Sequence, residues 1–392
     1  MNIALSRLAN QRIAGPTCAQ PGDVVGWLGA LQAQDYRGAL WAFGLRTAGT
    51  TERDIEQALA ERAIVRTWPM RGTLHCVASQ DVRWLLALLT PRVIAHSAGR
   101  YRQLELDEAT FGRSKEVFAK ALQGGKQLTR AEMLHALAQA GIATTGQRGY
   151  HLLGRAAQDG LICFGVPQGS RQTFALLDEW IPESGGRPRE EALAELTTRY
   201  FTSHGPATAQ DLMHWSGLMA AEVKAGLGAA GKELTRATMG DQVYWLPRET
   251  LELSSGGSAV HLLPGFDEYL LGYRDRRAVL DPIHAQRICP GNNGMFSPTL
   301  VVDGKVAGVW KRTLKRDKVV IEVAPFRPLT PPEERGLGAA AERYGAFLGL
   351  PAALLTTAPK RGRSSAKTRG DENHVYLHTG RSLHQSTHHP AR

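Results

Sequence analysis

One pattern runs through this chain three times: helices, then a strand, a tight turn and a second strand. This internal repeat constrains the fold more than any other feature of the sequence. The clearest copy runs from about Glu190 to Pro247, where Leu193, Leu196, Thr197 and Tyr200 are spaced for one face of a helix. His204-Gly205-Pro206 ends that helix, Thr208 to Trp215 reads as a short second one, and Met219 to Ala230 as a third. The strand ELTRATM, a Gly240-Asp241 turn and the strand QVYWL complete a hairpin. Helix, short helix, helix, hairpin is the order of a winged helix.

The middle copy begins near Leu128, with Thr129 and Glu132 as a capping box and Met133, Leu134 and Leu137 as the apolar stripe. A helix over about Gln147 to Asp159 follows, then the strands LICFG and QTFAL around a Pro167-Gln168-Gly169 turn. The first copy uses Ser6 to Ile13, then Val24, Trp27, Leu28 and Leu31 as one helical stripe. A further helix starts at Thr51, with Asp54 in the capping-box position, and ends near Arg62. Its hairpin is AIVRTW, a turn through Pro69-Met70-Arg71-Gly72, and TLHCV. After about Ser258, HLLPGFDEYLL, PTLVVDGKVAGVW and KVVIEVAPF alternate around turn signals such as Asp303-Gly304, and a helix over about Pro332 to Leu348 closes the region.

The expected fold is mixed α/β of the α+β kind: three tandem winged-helix modules and a small β-barrel-like domain. The modules cover residues 1–110, 111–185 and 186–255, and the β-rich domain covers 256–358. The segment 359–392 carries seven Lys/Arg against Asp371 and Glu372 and lacks core-forming residues, so a disordered basic tail is expected there.

A net charge of +10 is compatible with nucleic acid, although half of the excess comes from that tail. No apolar run approaches the roughly 20 residues of a membrane span, and the N-terminus lacks a signal-peptide core. Cys18, Cys76, Cys163 and Cys289 show neither disulfide nor zinc spacing, so a reduced cytoplasmic setting, near the nucleoid, is expected. There is no P-loop, HExxH or GxSxG, and GLICFG does not open a helix as a dinucleotide fingerprint does. Neither a cofactor nor a metal is expected, and no obligate protein partner.

Gln32-Ala33-Gln34-Asp35-Tyr36 is polar between Leu31 and Leu40, where the chain lies against a core. Placed at a helix end, its two carboxamides either converge on one point or are solvated. The hairpin carries Arg66, Trp68, Arg71, Thr73 and His75, residue types that suit phosphates, base edges and stacking. The alternative is a hairpin with Trp68 and Leu74 packed inward and Arg66 exposed. Gln147, Arg148, Tyr150, His151 and Arg155 fall on the presumed recognition helix, and Lys311 and Arg312 lie in a basic run that either meets phosphates or is simply solvated. Phe266-Asp267-Glu268-Tyr269 sets two acids in an apolar stretch, as a functional site or as a buried structural carboxylate.

LQAQDY, RTWPMRGTLH, LPGFDEYLLGYRDR and VVDGKVAGVW, in this order, resemble the bacterial winged-helix DNA glycosylases of the AlkZ and YcaQ type. The resemblance extends to about Leu355 and implies a C-shaped monomer around double-stranded DNA. It also implies monofunctional excision of N7-alkylated purines, including unhooking of interstrand crosslinks. Gln32-Ala33-Gln34 matches the Gln–apolar–Gln element of the AlkZ branch, although Asp35 follows directly. On that resemblance Gln32 and Gln34 are the catalytic residues and Arg66, Trp68, Arg71, Thr73 and His75 of the hairpin contact DNA; Gln147, Arg148, His151, Lys311 and Arg312 are further DNA contacts expected from their residue types and placement alone. No lysine precedes Lys115, so the first module has no Schiff-base amine of its own. Two other classes also fit the modules and charge. A non-enzymatic regulator would bind undamaged DNA by sequence, and a structural scaffold would not bind DNA.

Overall fold

The computed structural model describes residues 1–182, 185–249 and 259–357; the expected tail over 359–392 lies outside the described residues. The first repeat comprises α1 (Ile3–Asn10), α2 (Pro21–Leu28), β1 (Leu31–Gln32), α3 (Tyr36–Gly44), α4 (Glu52–Ala60), β2 (Ile64–Met70) and β3 (Thr73–Ala78). Its sheet runs β1-β3-β2. The Thr51 capping box forms: the Asp54 carboxylate accepts from the Thr51 amide at 2.7 Å, and the Thr51 hydroxyl accepts from the Asp54 amide at 3.3 Å.

The second helix stops earlier than its stripe predicts. The spacing Val24, Trp27, Leu28, Leu31 carries the helical period across Gly29, but Gly29 has a φ of +84°, which terminates α2. Leu31 therefore lies in a strand. Tyr36–Gly44 is a helix that the sequence pattern did not single out.

The long α5 (Val82–Gln103) leads to the second repeat, made of α6 (Glu108–Leu122), β4 (Leu128–Thr129), α7 (Arg130–Gln139), α8 (Arg148–Gln158), β5 (Ile162–Phe164) and β6 (Thr173–Leu176). Its sheet order, β4-β6-β5, repeats that of the first. After α9 (Leu177–Trp180), the third repeat comprises α10 (Arg189–His204), α11 (Ala209–Ser216), α12 (Ala220–Ala230), β7 (Leu234–Met239) and β8 (Gln242–Pro247). Here a single antiparallel bridge, Ala207 to Trp245, stands where the short first strand pairs in the other two. All three copies thus share one connectivity: helix, edge strand or bridge, two helices, hairpin.

The last region contains β9 (Val260–Leu263), α13 (Glu268–Leu271), α14 (Ala285–Ile288), β10 (Thr299–Val302), β11 (Lys305–Leu314), β12 (Val319–Pro325), α15 (Pro331–Leu348) and β13 (Ala352–Thr356). The barrel expectation is corrected: these strands form an open sheet, β13-β12-β11-β10-β9. The sheet ends at β9 on one side and at β13, added parallel through the α15 crossover, on the other. HLLPGFDEYLL is not one strand either, because the chain turns after β9 and enters α13. No described helix is long and apolar enough to cross a membrane.

Packing joins segments distant in sequence. The first repeat shares a core with the C-terminal sheet and α15. In it the Trp41 indole donates to the Leu262 carbonyl at 2.7 Å, and its ring meets Tyr344 edge-on at 4.8 Å. Arg46 makes a two-point contact with Asp267, both bonds 2.9 Å, with both side chains buried. Removing one partner of such a pair costs roughly 3–5 kcal/mol, because the other charge is stranded. A second core links β2, β3 and α5 to the third repeat, and a third centres on α6–α8.

Candidate active site

Gln32 and Gln34 lie on an extended segment, not at a helix end. After Gly29 the chain pairs Leu31 with Cys76 and Gln32 with His75, and the Ala33 amide extends the ladder to the Leu74 carbonyl at 2.8 Å. Residues i and i+2 of an extended chain project to the same side. The two carboxamides therefore face the β2–β3 hairpin together, while Ala33 is fully buried on the opposite side. Arg71 Nη2 donates to Gln32 Oε1 at 3.1 Å, and the Leu74 amide donates to Gln34 Oε1 at 3.1 Å. Both partners are donors only, so the carboxamide oxygens must face the hairpin and the NH2 groups point away from it.

The hairpin closes in two residues, Arg71 and Gly72, between the paired Met70 and Thr73. Their φ values, +53° and +70°, are what a two-residue turn of this hand demands. Arg71 occupies this left-handed conformation without being glycine, which brings its guanidinium back over the strands. Its Nη2 lies 3.3 Å from His75 Nε2, and His75 Nδ1 lies 3.0 Å from the Thr73 carbonyl. A carbonyl only accepts, so Nδ1 carries the proton and Nε2 accepts from Arg71. Burial, and then the Arg71 charge, push His75 down to about 3. His75 is thus neutral near pH 7 and is not a proton acceptor there.

Behind Gln32 lies a charge that the sequence flagged without a role. Glu268 is fully buried; its Oε1 accepts from the Gln32 amide at 3.2 Å and its Oε2 from the Trp215 indole at 2.8 Å. His204 Nε2 approaches Oε2 at 3.5 Å. Burial favours the neutral acid, but the His204 contact and the Arg71 charge offset it and hold the carboxyl down at about 2. The neighbouring Asp267 is the partner of Arg46, so of the two acids in that stretch only Glu268 reaches the carboxamide strand. Sequence reasoning missed Trp215 and His204, which lie in helices whose apolar stripes gave no sign of a polar contact.

The remaining candidates are dispersed. Trp68 is 5% exposed and packs on Phe164 at 5.0 Å and parallel to Phe174, in the core of the second repeat. Of the two readings the sequence left open, the inward-packed ring is the one found, with Leu74 against the same core, and not the exposed stacking ring. Arg66 is buried rather than free: Nε and Nη2 donate to the Ala33 carbonyl at 3.2 and 2.9 Å, and Nη1 to Gln172. The Thr73 hydroxyl reaches only the Met70 carbonyl, at 3.5 Å. Gln147 accepts from Arg100, and Arg148 is spent on the carbonyls of Ala143, Leu104 and Glu105. His151 is half-buried, edge-on to Tyr101, and Arg155 pairs with Glu108 and Asp159. Lys311 pairs with Glu322 at 2.9 Å and Arg312 donates to the Tyr344 hydroxyl at 2.6 Å. Among the predicted residues, the structure gathers Arg71 and His75 with Gln32 and Gln34. Among the described residues, no group of three or more His, Cys, Asp or Glu side chains is arranged to hold a metal ion.

Comparison with known proteins places this geometry in context. A family model described as "DNA glycosylase AlkZ-like" matches residues 25–347. An interstrand DNA cross-link repair glycosylase of Streptomyces sahachiroi is 29% identical over 327 residues, covering 78% of this chain and 85% of the relative. The solved structure of the Streptomyces sahachiroi DNA glycosylase AlkZ superposes with a TM-score of 0.75 at 24% identity, over 90% of this chain and 98% of that one, which shows a shared fold.

Proposed function

This chain belongs to the AlkZ-like family of DNA glycosylases and is an enzyme acting on N-glycosyl bonds; from that premise we propose that it hydrolyses the bond to cationic N7-alkylated purines, with Gln32 and Gln34 as its catalytic residues. One observation carries the reading: two carboxamides on one side of an extended strand, with both oxygens held by hairpin donors, beside a His75 held neutral and a Glu268 held ionised near pH 7. An N7-alkylguanine is already positively charged, so it departs as a neutral base with the bonding pair and needs no general acid. Water then adds to the cationic sugar carbon and releases a proton. Gln32 and Gln34 orient that water and the sugar by hydrogen bonding, since carboxamides are poor proton acceptors. Neutral bases such as uracil should be left untouched.

Each repeat reads as a winged helix, given the common connectivity of the three copies. The relative's name points to interstrand crosslinks, and the same chemistry at one strand of a crosslink would unhook it. No lysine occurs before Lys115, which favours hydrolysis over a Schiff-base lyase route. Double-stranded DNA would meet the hairpin tip at Arg71 and Thr73, with His151, Lys311 and Arg312 as further contacts.

The test is base release from a duplex carrying one N7-methylguanine, comparing the wild type with Gln32→Ala/Gln34→Ala. Release by the wild type and its loss in the variant, with DNA binding retained, is the expected result. Full activity in the variant would remove the site assignment, and uracil excision at a comparable rate would remove the cationic-lesion reading.

A further inference from the structure

A cavity of about 560 Å³ opens beside the hairpin tip, between α5 and α11. Arg71, Arg92, His96, His214 and Arg274 border it, and no carboxylate does. Leu89, Met213 and Leu218 give it an apolar wall. Among the described residues Arg71, Arg92 and Arg274 have no acid within ion-pair distance. The acids that act on this region are turned inward. Asp211 accepts from the amides of Thr208 and Arg274, and Glu268 from Gln32 and Trp215. Burial, then the charges of Arg71 and Arg276, hold His214 below its ordinary value, with Asp211 opposing and Arg274 adding.

Three guanidiniums around a concave site, without counter-charge, form an anion site. We propose that this cavity holds a backbone phosphate of the DNA strand next to the lesion, gripped by Arg92, Arg274 and Arg71. The assignment rests on the reading that Gln32 and Gln34 mark where the lesion lies. The same potential repels a cationic purine, so the cavity takes the phosphate and not the base. Arg71 ties the two places together, because its Nη2 holds the Gln32 oxygen and, among the described residues, its other nitrogens bond no protein group. A phosphate in the cavity therefore bears on the carboxamide through one guanidinium.

The test is duplex affinity across a salt series for Arg92→Gln, Arg274→Gln and the double variant, with Arg335→Gln on α15 as a control of equal charge loss. Arg92 and Arg274 are exposed, so their loss should leave the fold intact. Each substitution is expected to weaken binding about tenfold and to lower the slope of log affinity against log salt by about one. A walk of single neutral methylphosphonates along both strands should find one position beside the lesion that gives the same loss and does not add to the variants. Unchanged affinity and slope in the double variant would overturn the proposal. So would losses confined to duplexes with a bulky adduct, which would assign the cavity to the adduct. If the wild type released no N7-methylguanine, the substrate reading would fail while the affinity comparison still decided the cavity.

Discussion

The backbone amide of Gln32 donates to Oε1 of Glu268 at 3.2 Å, joining residues 236 positions apart in the chain. The other oxygen of the same carboxylate takes the Trp215 indole, so one buried anion ties the carboxamide strand to α11 of the third repeat. Glu268 thereby fixes where β1 lies relative to α11, while pairing with β3 fixes it against the hairpin that orients its side chains.

Glu268→Gln leaves one acceptor and sets an NH2 group against a donor, either the Gln32 amide or the Trp215 indole. The expected loss is about 2–3 kcal/mol in chemical denaturation, the range for a hydrogen bond to a charged group left unmade. Adding Trp215→Phe removes one conflicting donor, so the double variant should lose less than the sum of the two single changes. Strict additivity would show that the carboxylate does not couple these segments.

Arg71 occupies a left-handed turn position at a cost of roughly 1–2 kcal/mol. Arg71→Gly relieves that cost while removing the donor to Gln32. Thermal stability should be unchanged or slightly raised, and single-turnover base release should fall at least tenfold. A variant as active as the wild type would mean that Gln32 needs no donor from the hairpin.

Trp68→Ala should cost about 3–5 kcal/mol, because it empties a site among Phe164 and Phe174. Trp68→Phe should cost much less. DNA affinity of the folded protein should change little in both. Normal stability with lost DNA binding would restore the reading of Trp68 as a stacking ring.

His75 and Glu268 contribute to the pH dependence of stability, alongside His261, which burial holds down at about 4. His75 titrates near 3 in the folded protein against an ordinary 6.5. Between these values the unfolded chain takes up a proton that the folded one refuses. Stability from this site is therefore full above about 6.5 and falls by up to about 1.4 kcal/mol per unit as pH drops toward 3. Glu268, near 2 when folded against 4.5, adds a contribution present above about 4.5 and lost as pH falls toward 2. Denaturation midpoints should decline from pH 7 to pH 5, and His75→Gln should flatten that decline. An identical decline in the variant would show that His75 is not the residue responsible.

Much of the architecture was legible locally. The capping boxes at Thr51 and Thr129, the stripe through Leu193 and Tyr200, and the Asp303-Gly304 turn each depend on neighbours a few residues away, and each forms where the sequence places it. The Gln32-Ala33-Gln34 segment stood out because polar residues interrupted an apolar context. Its conformation did not, because the apolar period ran on through Gly29 and only the pairing with β3 shows that the chain has become a strand. The sequence left Trp68 either packed inward or exposed, and Arg66 exposed in the first case; packing of the second repeat against the hairpin buries both.

The open sheet, the convergence of Glu268, Trp215 and His204 behind Gln32, and the cavity beside Arg71 all belong to the tertiary structure. The sequence by itself determined which elements form, since caps, turns and periodicity are settled by contacts within a few residues. Which face of each element is buried, and which charges gather around the carboxamide strand, was decided only when segments from 39 to 236 residues apart closed on one another and removed water from between them.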